Sequence, residues 1–113
     1  MVSFDIDRSE GATIVQVHGE VDLEVADNLL DTLKGTLGDD SPERLIVDLY
    51  DVTLLDSTGV GALVAAHQAA AQMGVKLVVI NPRGIVQRVL RIAGVLETLS
   101  SAAGAARRPK RRT

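Results

Sequence analysis

The stretch Leu45–Gly61, LIVDLYDVTLLDSTGVG, decides the reading of this chain. It opens with Leu45-Ile46-Val47-Asp48-Leu49, an apolar run broken by one acid, the pattern of a strand covered on both faces. A loop through Asp51-Val52-Thr53-Leu54-Leu55 is expected next, followed by Asp56-Ser57-Thr58-Gly59. From Ser57 to about Met73, Val60, Leu63, Val64 and His67 fall on one stripe among many alanines, which predicts a helix packed closely by small side chains. A buried strand thus feeds a polar turn that opens a helix.

The same alternation extends to both sides. Upstream, Ser3–Asp7 and Thr13–His18 read as two strands joined at Ser9-Glu10-Gly11, with Gly19 ending the second. Asp22 precedes Leu23, Ala26, Leu29, Leu30, Leu33 and Leu37 at helical spacing, and Gly38-Asp39-Asp40-Ser41-Pro42 is expected to close that helix. Downstream, Gly74 stops the second helix, Val75–Ile80 is a buried strand, and Asn81-Pro82-Arg83-Gly84 turns into a third helix. Ile85, Val86, Val89, Leu90 and Ile92 mark that helix, which ends at Gly94. Val95, Leu96 and Leu99 fit either a last strand or a packed terminal segment. The order β-β-α-β-α-β-α predicts an α/β domain with a parallel or mixed sheet.

Composition narrows the classes. The 113 residues suit one domain, and 46% hydrophobic content supplies an aliphatic core in which Phe4 and Tyr50 are the only aromatic side chains. The absence of Cys excludes a disulfide framework and a thiol nucleophile, which suits a reducing compartment. No run reaches the ~20 apolar residues of a membrane helix, and the acidic start MVSFDID lacks the layout of a secretory signal. The expected location is cytoplasmic, away from the membrane.

All 15 acidic residues precede position 101 together with seven of the 12 Lys and Arg, so this body carries −8. An acidic body of that kind predicts no direct nucleic-acid role. Arg107, Arg108, Lys110, Arg111 and Arg112 form a basic end without an apolar face. The division expected is therefore a domain over 1–100 and a flexible basic tail over 101–113.

The turn at Asp56-Ser57 carries the functional signal. A helix's first turn holds unpaired N–H groups and the positive end of the macrodipole, and Ser often caps it. The same place tolerates a phosphate, whose oxygens those N–H groups can bind. A phosphate on Ser57 would add roughly −1.5 to −2 charges beside Asp56 and repel a partner docked there. Plain helix capping explains the same four residues without any modification.

The wider pattern goes beyond capping. Asp-Ser-Thr-Gly, Gly61 and the aliphatic helix, Gly19-Glu20-Val21-Asp22 after the early strand, the strand ending at Asn81-Pro82, and the helix Val86–Gly94 together resemble the STAS domain of anti-sigma-factor antagonists. The resemblance spans roughly residues 3–100 and implies a mixed β-sheet with helices packed on one side. It implies a non-enzymatic module that binds an anti-sigma factor/serine-protein kinase and is switched off by phosphorylation of Ser57. A PP2C-like phosphatase would restore it. ATP would belong to the partner, so no cofactor is expected. Glu20, Asp22, Asp56, Ser57, Thr58 and Gly59 are the expected partner-binding residues. Thr58 stands where many members have a second Ser, and is a possible secondary phosphorylation site. Because STAS domains also serve transporters, lipid-trafficking systems and stress-sensing assemblies, a scaffold or accessory role without a sigma partner is the alternative.

Other chemistries are less well served by the residues. His18 and His67 lie on different elements, and a metal would have to use Asp48, Asp51 or Asp56, so none is expected. A hydrolase would need a base near Ser57, yet His67 lies about 15 Å along the same helix. A receiver domain, phosphorylated on Asp, could use Glu20 and Asp22 as its acidic pair. It lacks a suitable late Lys, since Lys76 sits at a strand start.

Overall fold

The computed structural model describes residues 2–100. The basic tail expected over 101–113 lies outside the described residues. The elements are β1 (Val2–Ser9), β2 (Ala12–Val21), α1 (Leu23–Asp40), β3 (Arg44–Leu55), α2 (Ser57–Gln72), β4 (Lys76–Ile80), α3 (Gly84–Ile92) and α4 (Leu96–Ser100). They form one mixed sheet in the order β1-β2-β3-β4, with β1 antiparallel to β2 and the remaining pairs parallel.

Side-chain alternation explains how the sheet carries its helices. Val15, Val17, Leu45, Val47, Leu49, Leu77 and Val79 point to one face, where they meet Leu29 and Leu33 of α1, Leu63 and Ala66 of α2, Val86 and Leu90 of α3, and Leu99 of α4. Ala12, Ile14, Ile46, Val78 and Ile80 form a second cluster on the opposite face, with no helix residue among them. The helices therefore pack on one side of the sheet. The β3 run is buried on both faces, as its near-continuous apolar sequence requires.

Several boundaries differ from the sequence reading. Gly19 does not end β2; it sits inside it at φ +109° beside a shift in the β2–β3 register. This is a bulge, for which glycine's conformational freedom is needed. Past it, β2 continues to Val21, which lies opposite Leu55. The strand β3 likewise runs on to Leu55 instead of looping out at Asp51, because this extension keeps β2 as its neighbour. Helix α1, by contrast, ends at Asp40 inside the stretch Gly38–Pro42 expected to close it, with Ser41 in the left-handed conformation (φ 44°) and Pro42 following. The terminal segment left open by the sequence is a short helix, α4.

Candidate functional site

The register of β2 and β3 creates the site. Because Val21 and Leu55 are opposite one another in parallel strands, the residues that follow them, Asp22 and Asp56, emerge side by side. Each begins a helix in the same way. The Asp22 carboxylate accepts the Glu24 N–H at 3.1 Å and opens α1. The Asp56 carboxylate accepts the N–H groups of Thr58 at 3.0 Å and Gly59 at 3.1 Å and opens α2. The two turns are tied together, for the Asp56 N–H donates to the Val21 carbonyl at 3.2 Å.

The cap of α2 is thus Asp56, and Ser57 is the first helical residue. This corrects two expectations. Ser57 is not the capping side chain, and the first-turn N–H groups of Thr58 and Gly59 are already occupied by a carboxylate. A phosphate on Ser57 would not fall into a vacant cradle; it would stand in solvent beside a charged aspartate.

Asp56 is held well on the ionised side. The Thr58 hydroxyl, which donates to Oδ1, contributes most to lowering its pKa, followed by the Gly59 N–H, with lesser help from the N–H groups of Thr58 and Leu23; partial burial opposes them. Ser57 is different: it is exposed, and its hydroxyl makes no hydrogen bond to any described residue. The Thr58 hydroxyl is half-buried and committed to Asp56. Of the two adjacent hydroxyls, only that of Ser57 is without a hydrogen bond among the described residues.

Gly59 is required by proximity. A Cβ there would stand 2.6 Å from Leu55 Cδ1, 2.9 Å from Val21 Cγ1 and 3.3 Å from the Val21 carbonyl. The helix start can lie against the ends of β2 and β3 only if this position carries no side chain. Glu20 is exposed on the last turn of β2, opposite Leu54. All six residues singled out from the sequence, Glu20, Asp22, Asp56, Ser57, Thr58 and Gly59, therefore gather at the carboxyl ends of two neighbouring strands.

Sequence reasoning missed the surroundings of this cluster. Ser57 and Val60 of α2 face Val89, Ile92 and Ala93 at the end of α3, across an apolar groove of about 290 Å³. Of its lining, Ile92 is 78% exposed. No residue of α3 flags the groove in the sequence, since Ile92 reads with Ile85, Val86, Val89 and Leu90 as one of the apolar positions that mark the helix. Helix α3 is fixed at its start by Arg83, which donates to the Tyr50 carbonyl at 3.0 Å and lies 4.0 Å from the centre of the Tyr50 ring.

The other candidate residues lie elsewhere. Asp48 is buried and accepts the N–H of Tyr50 and the amide of Asn81, so it serves the sheet end. His18 is bracketed by Asp5 at 2.9 Å and Asp51 at 3.0 Å. Among the described residues, no group of three or more His, Cys, Asp or Glu side chains could hold a metal ion. No described helix is long and apolar enough to cross a membrane.

A mixed sheet with one-sided helices, and a polar turn exposing one hydroxyl beside a capping carboxylate, define a small α/β module built around a surface turn. The chain belongs to the STAS domain family, whose profile matches residues 3–105. It is similar to an anti-sigma factor antagonist from Mycobacterium paratuberculosis, with 26% identity, a TM-score of 0.77, and 88% of this chain and 83% of that one covered. It shares the fold of the Bacillus cell fate determinant SpoIIAA in its phosphorylated form, at 15% identity and a TM-score of 0.67, covering 86% of this chain and 87% of that one. Low affinity sulfate transporter 3 of Stylosanthes hamata is 30% identical over 79 residues, 70% of this chain; the match spans 12% of the transporter's length.

Proposed function

We infer that this chain is an anti-sigma-factor antagonist: a cytoplasmic binding module, without catalytic activity or cofactor, that docks on an anti-sigma factor/serine-protein kinase and is released when Ser57 is phosphorylated. The observation that carries this reading is the exposed and uncommitted Ser57 hydroxyl on a turn where the Thr58 hydroxyl and the N–H groups of Thr58 and Gly59 are engaged by Asp56. In the phosphorylation step, Ser57 Oγ bonds to the γ-phosphorus of ATP held by the kinase. The bond to the β–γ bridging oxygen breaks, ADP leaves, and the hydroxyl proton passes to a base on the kinase. The product adds roughly −1.5 to −2 charges next to ionised Asp56. A partner packed on the turn then meets repulsion and a desolvation cost, while the cap of α2 stays intact. A PP2C-like phosphatase reverses the change. The tail over 101–113 takes no part in this reading.

Incubation with the host kinase and ATP, followed by mass spectrometry, tests it. One phosphate on Ser57 and none on Thr58 is expected. Ser57→Ala should keep partner binding and resist switching, while Ser57→Asp should weaken binding; phosphate on another residue overturns the assignment.

The likeness to the sulfate transporter of Stylosanthes hamata favours a second reading, in which the same face docks on a transporter or scaffold assembly without a sigma partner. Kinase labelling of Ser57 separates the two, since only the first requires it.

A further inference from the structure

The sheet face turned away from the helices is apolar and buried, yet no described helix lies on it. Ala12, Ile14, Ile46, Val78 and Ile80 are each no more than 4% exposed, and Ile46 and Val78 are fully buried. All four described helices contribute instead to the cluster on the other face. Parallel strands such as β2, β3 and β4 ordinarily carry cover on both faces, which is why they tolerate apolar residues on both. Helices supply that cover on one side only, so the second aliphatic face calls for another.

Charge is graded along this face. Residues directly opposite one another in neighbouring strands share a side of the sheet. Asp7 stands opposite Ile14, and Ile14 opposite Ile46, so Asp7 borders the aliphatic cluster. Asp5 aligns with Gln16, and Gln16 with Asp48, which sets two more carboxylates one step further along. Asp51 joins Asp5 there through the ring of His18. Arg44 and Lys76 align at the opposite end. The face thus runs from basic through aliphatic to acidic.

The chain itself supplies the complement. Residues 101–113 read SAAGAARRPKRRT, four alanines and then five cations within six positions. They follow α4, whose Leu99 is fixed in the core and which lies against β4, an edge strand of the sheet. Thirteen residues reach about 43–47 Å when extended. Four strands ~4.8 Å apart span only about 14 Å, so the segment is long enough to round β4 and cross the whole face. Tethering also holds it at an effective concentration near millimolar, which a second copy at ordinary concentrations does not match.

We propose that residues 101–113 are a strap that docks on this face of their own domain. Ala102, Ala103, Ala105 and Ala106 cover Ile14, Ile46 and Val78, and the cations beyond them lie against Asp5, Asp7 and Asp51. The five tail charges then offset part of the eight excess negative charges of the body. The inference is independent of the reading of Ser57, which lies at the strand ends beside the helices.

The test places one nitroxide on the full chain through Ala105→Cys, the sequence having no other thiol, and reads paramagnetic broadening of backbone amides by NMR. The amides of Asp7, Ile14, Ile46 and Val78 should lose most of their intensity. Those of Asp27 and Asp31, exposed on α1 in the helix layer, should keep theirs. The same label in a chain with Arg107, Arg108, Lys110, Arg111 and Arg112 all changed to Glu should leave the sheet amides sharp. In the parent chain 1 M salt, where screening acts over about 3 Å, should weaken the broadening. A mixture of isotope-labelled and spin-labelled copies should show none. Sharp sheet amides in the first sample, equal broadening of the helix layer, or broadening that passes between copies overturns the proposal. So does a charge-reversed tail that broadens the sheet amides as strongly as the parent.

Discussion

Two glycines in the first turns of α2, two positions apart, should respond to the same substitution with opposite signs. At Gly59 an added methyl meets Leu55 Cδ1 and Val21 Cγ1 below 3.0 Å, and both side chains are buried, at 3% and 0% exposure. Leu55 can turn, but only into a filled core, and Val21 is stiff at χ1. Overpacking of this kind costs about 1–3 kcal/mol. Ala recovers up to about 1 kcal/mol of helix propensity over Gly, and less than that in a first turn. Gly59→Ala should therefore destabilise by roughly 1–2 kcal/mol, a fall in melting temperature of about 5–15 °C for a domain of this size. Gly61 is exposed and helical, with no atom within 4 Å of the added carbon. Gly61→Ala should gain about 0.5–1 kcal/mol, raising the melting temperature by up to ~8 °C. Thermal unfolding followed by circular dichroism decides it. Shifts of the same sign in both variants would refute the claim that Gly59 is selected by contact with the strand ends.

Acid should erode the α2 cap in a defined direction. The pKa of Asp56 is lowered in the fold, so its stabilising effect is complete at neutral pH and is lost as pH falls below about 4 toward the folded-state value. Asp56→Asn should flatten that part of the stability profile in acid titrations monitored by unfolding. Leu33, fully buried in α1, should cost about 2–5 kcal/mol when changed to Ala, measured by urea denaturation. His18→Gln should cost under about 1 kcal/mol, since both carboxylates beside it are largely exposed and a surface pair contributes little; a larger loss would show that the bracket holds β1 in place.

The parts of this fold that were legible in the sequence are those set by local chemistry. Apolar runs at Leu45–Leu49 and Val75–Ile80 announced buried strands, and the Leu spacing of α1 and the small residues of α2 announced helices. Asp22 stood where a cap belongs, whereas the cap of α2 was expected one residue late, at Ser57. What escaped depended on neighbours distant in sequence. Gly19 reads as a stop because glycine commonly ends strands, yet pairing with β3 carries β2 through a bulge to Val21. Thr53 and Leu54 read as loop because both are exposed, and only the adjacent β2 makes them strand. The groove beside Ser57 depends on where the sheet sets the end of α3 relative to the start of α2, for which no residue within either helix is a sufficient signal. Ile92 looked like core and proved to be surface.

The proposed modification and the fold would be kept apart at this turn by a division of labour between adjacent residues. Asp56 and Thr58 hold the start of α2 through four contacts on one carboxylate oxygen and its neighbouring backbone, and Gly59 fixes the distance to the sheet. The Ser57 side chain makes no hydrogen bond to any described residue, so a bulky anion could be added to it without removing such a contact. Were Ser57 itself the cap, phosphorylation would break the bond that opens the helix, and switching would be coupled to unfolding. Moving the cap one residue upstream leaves an exposed, uncommitted hydroxyl beside a fixed helix start. It also guarantees a negative neighbour, which makes the added phosphate harder for a docked partner to tolerate. The same carboxylate thus orders the helix and sharpens the proposed switch.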